Sequence, residues 1–106
     1  MLTVIETPEF IASADTVWRE AERLDFIDWI ADNPLAGDVI PGGTPLRKVR
    51  WARAGMGKSG GARVIYYTRL TSGELVLLLV YAKAKFDNLR PEFLLKLKER
   101  FDEKTN

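Results

Sequence analysis

An unbroken apolar run at residues 75–80 constrains the fold of this chain more than any other feature. The run is much shorter than the roughly 20 residues of a membrane-spanning helix, and its length suits a strand covered on both faces. Residues 62–70, just before it, are rich in β-branched and aromatic side chains and favour a second strand. The Thr-Ser-Gly sequence at residues 71–73 is typical of a hairpin turn. The sequence therefore predicts an antiparallel pair in which residues 74–81 form a central strand.

The first third of the chain predicts a strand followed by two helices. Residues 2–5 favour a short strand, and residues 7–14 favour a short helix, because Thr-Pro-Glu supplies an N-cap, a first-turn proline and a first-turn acid. Residues 15–33 predict an amphipathic helix that ends before Pro34, since proline disfavours helical geometry in the residue before it. The apolar stripe of this helix is expected to contain Val17, Trp18, Ala21, Leu24, Ile27 and Ile30 or Ala31.

Residues 46–53 predict a strand with one apolar and one basic face. Their side chains alternate, so Val49 and Trp51 face one side of the sheet while Lys48 and Arg50 face the other. If the apolar pair packs inward, the two cations project outward together.

The remaining segments complete one small domain over residues 1–106. Residues 35–45 are predicted as a linker, residues 54–61 as a glycine-rich turn, and Pro91 as the start of a last helix. The apolar stripe of that helix is expected to contain Phe93, Leu94, Leu97 and Phe101. The element order β-α-α-β-β-β-α predicts an α+β fold, in which helices flank a small antiparallel sheet.

The composition excludes several kinds of chemistry. The chain has no cysteine and no histidine, so disulfides, thiol catalysis, the commonest general base and the usual zinc ligands are absent. The first residues also lack the basic and apolar regions of a signal peptide. We expect a cytoplasmic protein that does not enter a membrane and needs no metal or other cofactor.

The net charge of +1 conceals a strong polarity along the chain. Residues 1–38 hold nine acidic and two basic residues, a net charge of −7, whereas residues 39–86 hold nine basic residues and one acidic residue, a net charge of +8. The basic half includes RKVRWARAGMGKSGGAR at residues 47–63, which has no acid. This asymmetry favours one face that binds a polyanion, although ordinary solvated helices and basic sheet edges are the alternative explanation.

Several sequence segments together resemble the RelE/HigB superfamily of bacterial toxins from type II toxin–antitoxin systems, most closely its HigB-like branch. They are TPEF, the helix WREAERLDFIDWIADNP, the strands LRKVRW and GGARVIYY within GKSGGARVIYY, and LLLVYAK. The resemblance covers nearly the whole chain. It implies a small sheet with flanking helices, ribosome-dependent and metal-independent cleavage of mRNA in the ribosomal A site, and neutralisation by a cognate antitoxin.

The resemblance also implies candidate site residues. Lys48 and Arg50 match a basic pair on the strand before the hairpin, Arg63 matches the arginine that opens the next strand, and Lys83 and Lys85 match basic residues after the last strand. The further RNA-binding candidates are Arg47, Arg53, Lys58 and Tyr67. Some RelE toxins have a catalytic tyrosine near the start of the last helix, where this chain has Arg90.

The chemistry of RNA cleavage gives these residues roles. Attack by the 2′-hydroxyl needs a proton acceptor and positive charge near the phosphorane, and the planar fork of Arg63 suits the second role. The acceptor must be a lysine, a tyrosine or a carboxylate, and Lys48, Lys83 and Lys85 are the lysine candidates. Alternatively, the ribosome supplies much of the rate and the protein supplies only charge. Tyr67 either stacks a base or belongs to the core.

Two functions follow as expectations. The first is an endoribonuclease toxin that inhibits translation and binds the ribosome, mRNA and a helix-turn-helix antitoxin. The alternative is a non-catalytic RNA-binding or other nucleic-acid-binding module that uses the same basic face.

Overall fold

The computed structural model describes residues 2–51, 61–82 and 89–105. In chain order its elements are strand β1 (Thr3–Glu6), helices α1 (Pro8–Val17) and α2 (Glu20–Asp32), strands β2 (Asp38–Val39), β3 (Arg47–Trp51) and β4 (Ala62–Arg69), a 3-10 turn (Leu70–Ser72), strand β5 (Glu74–Ala82) and helix α3 (Pro91–Thr105). The predicted α+β class is confirmed.

The described strands form one sheet in the order β1-β5-β4-β3-β2. β5 lies between β1 and β4, as its apolar sequence predicts, and β4 pairs with both β3 and β5 in antiparallel fashion. β1, however, pairs with β5 in parallel, so the sheet is mixed and not wholly antiparallel. Parallel neighbours need a long connection between them, which the intervening helices and strands provide.

The short strand β2 was not predicted, because it lies inside the segment expected to be a linker. Asp38 pairs with Lys48 and Val39 pairs with Arg47. The chain therefore has one more strand than the predicted order. Two residues are too few to produce a recognisable alternation of polar and apolar side chains.

The break between α1 and α2 also differs from the prediction. α1 continues to Val17, and Trp18 and Arg19 have extended backbones before α2 begins. The Glu22 carboxylate accepts a hydrogen bond from the backbone N–H of Arg19 at 3.0 Å. This bond stabilises the N-terminus of α2, where Arg19 is the N-cap and Glu22 is the third helical residue. The helical periodicity of residues 15–33 therefore does not correspond to one continuous helix.

α1 and α2 cover one face of the sheet and form a first core around Phe26. The Phe26 ring is fully buried, and its centroid lies 5.3 Å from that of Trp18, 6.1 Å from that of Trp29 and 5.6 Å from that of Trp51. The buried residues that the strands add to this core are Val49, Ala62, Val64, Tyr66, Leu75, Leu77 and Val80. The predicted stripe of the second helix omitted Phe26 and included Leu24, which is 48% exposed.

α3 packs on the other face and forms a second core. The buried residues of this second core are Leu46, Ile65, Tyr67, Val76, Leu78, Tyr81, Leu94 and Leu97. Of the stripe predicted for this helix, Leu94 and Leu97 are buried, whereas Phe93 is 48% exposed. Among the described residues, no helix has both the length and the apolar character to span a membrane.

Asp102 fastens the C-terminal part of α3 to β4. Its Oδ1 accepts hydrogen bonds from the Tyr67 hydroxyl at 2.6 Å and from Arg69 Nη2 at 2.5 Å, and its Oδ2 accepts one from Lys98 Nζ at 2.7 Å. Burial raises the pKa of the Asp102 carboxyl, but the three donors outweigh it and lower the pKa from 3.8 to about 2. Burial and the bond to Asp102 raise the pKa of the Tyr67 hydroxyl.

The lowered pKa of Asp102 predicts a loss of stability in acid. A group whose pKa falls on folding stabilises the native state above its unfolded pKa, here 3.8, and loses that contribution as the pH falls through about 2. The contribution to the free energy of unfolding is about 2 kcal/mol near neutral pH. In urea unfolding, we expect the stability difference between wild type and Asp102→Asn to shrink by about this amount between about pH 5 and pH 2.

The matched control for this prediction is Glu103→Gln, which removes an exposed carboxylate from the same helix. Its stability difference from wild type should change little over the same pH range. A difference for Asp102→Asn that stays constant with pH would show that the carboxylate does not stabilise the fold through its charge.

Candidate functional site

Lys48 and Arg50 project from β3 on the face of the sheet that also carries α3. Both side chains are exposed. Their neighbours Val49 and Trp51 point the other way, where Val49 is buried in the first core and Trp51 packs against it. The predicted alternation of this strand is therefore observed, and it places the two cations side by side on one surface.

Arg63 joins this pair from the next strand. β3 and β4 are antiparallel, and Arg50 is the direct partner of Arg63 in their register. Directly opposed side chains share one face of a sheet, with Cβ atoms about 4.5–5.5 Å apart, and like charges in such a pair are destabilising. The fold therefore holds two arginines at a position where an anion between them would remove an unfavourable interaction.

The guanidinium of Arg63 is partly withdrawn from solvent. Its Nη1 atom is buried and has no hydrogen-bond partner in the part of the chain that the structure describes. A buried donor of this kind carries a desolvation cost until an acceptor reaches it. Phosphate oxygens are suitable acceptors, because the arginine fork can donate to two of them at once.

α3 crosses this face near the start of β3 and the end of β4, so Arg50 and Arg63 lie towards the opposite end of the two strands. Pro91, at the start of α3, lies beside Gly42 near the beginning of β3, and the far end of the helix bonds to Tyr67 and Arg69 near the end of β4. Arg63 stands at the opposite end of β4, about 13 Å along the strand from Tyr67. Lys48, Arg50 and Arg63 are hereafter the basic cluster.

The charge polarity of the sequence becomes a polarity between the two faces of the sheet. α1 and α2 pack on the face opposite the basic cluster. Exposed acids on these helices are Asp15, Glu20, Asp25, Asp28 and Asp32, and Glu9 is half-buried. A polyanion is therefore attracted to one face and repelled by the other.

Two other predicted site residues lie away from the basic cluster. Arg47 belongs to the opposite face, where its Nη1 donates a hydrogen bond to the Gly37 carbonyl at 2.6 Å. Tyr67 is 1% exposed and its hydroxyl is bonded to Asp102, so its ring has no free face on which a base could stack. Tyr67 is thus a core residue, which was the other possibility for it. The remaining predicted residues, Arg53, Lys58, Lys83 and Lys85, lie outside the described residues.

The structure adds Tyr81 as a neighbour of the basic cluster. Tyr81 on β5 is the register partner of Arg63 and belongs to the second core, with 4% of its surface exposed. A register shift between Ile65 and Tyr66 creates this pairing. Counting outward from the hairpin turn would instead pair Arg63 with Val80, so the sequence offered no signal for Tyr81.

The basic cluster can bind a phosphodiester and stabilise additional negative charge on it. An arginine pair and a nearby lysine provide several donors on two paired strands, which fix the backbone positions of all three residues. No protein-family model matches the chain.

Proposed function

We propose that the protein is the toxin of a type II toxin–antitoxin system and that it cleaves mRNA in the ribosomal A site, which inhibits translation. The observation that carries this proposal is the opposed Arg50–Arg63 pair, with Lys48 beside it, on the α3 face of the sheet but away from the end of β4 to which α3 is bonded. An opposed like-charge pair is unfavourable in the isolated protein and becomes favourable when a phosphate group lies between the two side chains. The resemblance to RelE/HigB toxins supplies the reaction.

In this proposal Arg63 stabilises the charge that develops when the 2′-hydroxyl attacks the neighbouring phosphorus. Its buried Nη1 donor is already desolvated, so its interaction with a phosphorane oxygen is stronger than it would be in water. Arg50 and Lys48 hold the adjacent RNA backbone so that the 2′-hydroxyl is in line with the phosphorus for the attack. Lys48 is also a candidate proton acceptor, together with Lys83 and Lys85, and neither a metal nor another cofactor is needed.

The proposed partners follow from the same reaction. Ribosomal RNA and mRNA meet the basic face, while the acidic helices face away from them. A helix-turn-helix antitoxin neutralises the toxin, and all these partners are cytoplasmic. Recovery of no such antitoxin from a co-expressed operon would count against this assignment.

Mapping mRNA 5′ ends after induction of the protein tests cleavage directly. We expect new 5′ ends inside translated reading frames, spaced by codons, because the ribosome presents mRNA one codon at a time. The ends should disappear when the same mRNA lacks a start codon. If induction arrests growth and creates no new ends, the protein is not an mRNA endonuclease.

A non-catalytic RNA-binding module is the second candidate. It is favoured by the fact that the basic cluster, as far as the described residues show it, contains only cations, which suffice to bind a phosphate backbone. Such a module would bind RNA with an affinity that falls steeply as salt rises, and would leave the RNA intact. The same mapping experiment separates the two candidates.

A further inference from the structure

An apolar groove lies at the end of the sheet farthest from the basic cluster. It has a volume of about 370 Å³ and is formed by the end of α2, the residue before β1 and the end of β4. Its lining residues are Leu2, Ala31, Asp32, Pro34, Leu35, Thr68 and Leu70. Leu70 is seven residues beyond Arg63, or more than 20 Å along an extended chain, so the groove and the basic cluster are separate sites.

Two leucines at this groove are unusually accessible to solvent. Leu70 is 76% exposed and Leu35 is 68% exposed, the two highest values among the exposed large apolar residues of the described chain. Leu70 begins the tight turn at the end of β4, and Leu35 follows the end of α2, where polar residues would serve the local structure equally well. Adjoining apolar side chains at such positions are typical of a protein-binding surface.

Leu35 is held on a fixed loop. The Tyr66 hydroxyl donates a hydrogen bond to the Pro34 carbonyl and accepts one from the Gly37 N–H, both at 2.9 Å. Gly37 also packs so closely that an added Cβ would lie 2.9 Å from the Lys48 carbonyl oxygen. Tyr66 is fully buried, so the loop is attached to the core on both sides of Leu35. A partner would therefore meet a preformed surface.

The charge at the groove is negative. Asp32 lines it, and Asp28 lies one helical turn earlier on α2, so both exposed carboxylates are on the same side of the helix. No cationic side chain is among the lining residues of the described chain. This acidic rim repels nucleic acid and favours a cationic partner.

We propose that this groove binds a basic amphipathic segment of a partner protein, whose aliphatic side chains cover Leu35 and Leu70 and whose lysines or arginines pair with Asp28 and Asp32. Such a segment places its apolar residues on one helical face and its cations on the flanks. Identification of the partner with the antitoxin rests on the proposed function, but the docking itself does not. Docking leaves the basic cluster uncovered.

The test uses the purified protein and two synthetic helical peptides, both with leucine on one face and with either lysine or glutamate on the other. We expect the lysine peptide to bind at least about tenfold more tightly than the glutamate peptide. Leu35→Ser and Leu70→Ser should each weaken binding of the lysine peptide about tenfold, because each removes a leucine side chain from the buried contact. Binding is measured by fluorescence anisotropy without RNA or ribosomes, so failure here is distinguishable from failure of the proposed function.

Matched variants distinguish the groove from general attraction to the acidic helices. Leu24→Ser removes an exposed leucine of α2 outside the groove, and Asp15→Asn removes an exposed acid of α1; both should bind the lysine peptide as wild type does. The double substitution Asp28→Asn with Asp32→Asn should weaken it. Equal affinity of the two peptides, or wild-type affinity of both groove leucine variants, would overturn the proposal. So would a dimer in sedimentation that Leu70→Ser dissolves, because the occupant would then be a second copy of the chain.

Discussion

Replacement of Arg63 by alanine is expected to lower mRNA cleavage by about 100- to 1,000-fold, the usual effect of removing one preorganised donor from a developing anion. The reason lies in the position of the side chain. Arg63 is opposite Arg50, and its buried Nη1 has no acceptor among the described residues, so its best interaction is one made with a phosphate group. The measurement is the yield of new mRNA 5′ ends, or of cleaved message in a reconstituted translation reaction.

The same substitution should leave the fold intact. Removal of Arg63 relieves the repulsion with Arg50, which offsets the packing lost from its aliphatic stem, so the free energy of unfolding should change by less than about 1 kcal/mol. Arg63→Lys keeps the charge and loses the two-pronged donor, and should restore only part of the activity. Arg100→Ala, which removes an exposed arginine from α3, is the matched control and should cleave normally. A fully active Arg63→Ala protein would remove Arg63 from the mechanism.

Replacement of Phe26 by alanine is expected to lower the free energy of unfolding by about 3–5 kcal/mol. Phe26 is fully buried, and three tryptophan rings surround it at centroid distances of 5.3 to 6.1 Å. Its removal leaves a cavity that these rigid rings cannot readily fill, and it also removes the edge-to-face contact with Trp51. Urea denaturation followed by tryptophan fluorescence reports the loss directly.

Leu24→Ala is the matched control for Phe26→Ala. Leu24 lies on the same helix, two residues earlier, but is 48% exposed. Its replacement should change the free energy of unfolding by less than about 1 kcal/mol. If the two variants are equally stable, Phe26 is not the centre of the first core and the orientation of α2 must be different.

The contrast between these two residues shows where sequence periodicity was insufficient. Both are apolar, and the predicted stripe joined residues on either side of Trp18 as if one helix continued through them. The chain is extended at Trp18 and Arg19, so the phase of the helical pattern starts again at α2. Phe26 then faces the sheet and Leu24 faces solvent. A two-residue interruption rotates every later side chain, and local sequence patterns do not report it.

The strands were more predictable than the helices. β3 and β4 lie within the predicted segments, and β5 extends one residue beyond the predicted 74–81. β5 is central because its continuous apolar sequence requires cover on both faces. The parallel pairing of β1 was not predictable from its four residues. The direction of this pairing depends on the path of the chain through α1 and α2 between β1 and the later strands, and the packing of the two helices sets that path.

The sequence by itself determined the central hairpin, the α+β class and the placement of Lys48 and Arg50 on one face, because each follows from a local period or a turn signal. Only the tertiary structure decided which residues meet across strands. The register of β3 and β4 opposes Arg50 and Arg63, and the shift between Ile65 and Tyr66 brings Tyr81, not Val80, beside Arg63. One extra residue in a strand reverses the face of all that follow it, and the packing of both cores selects where that residue is accommodated.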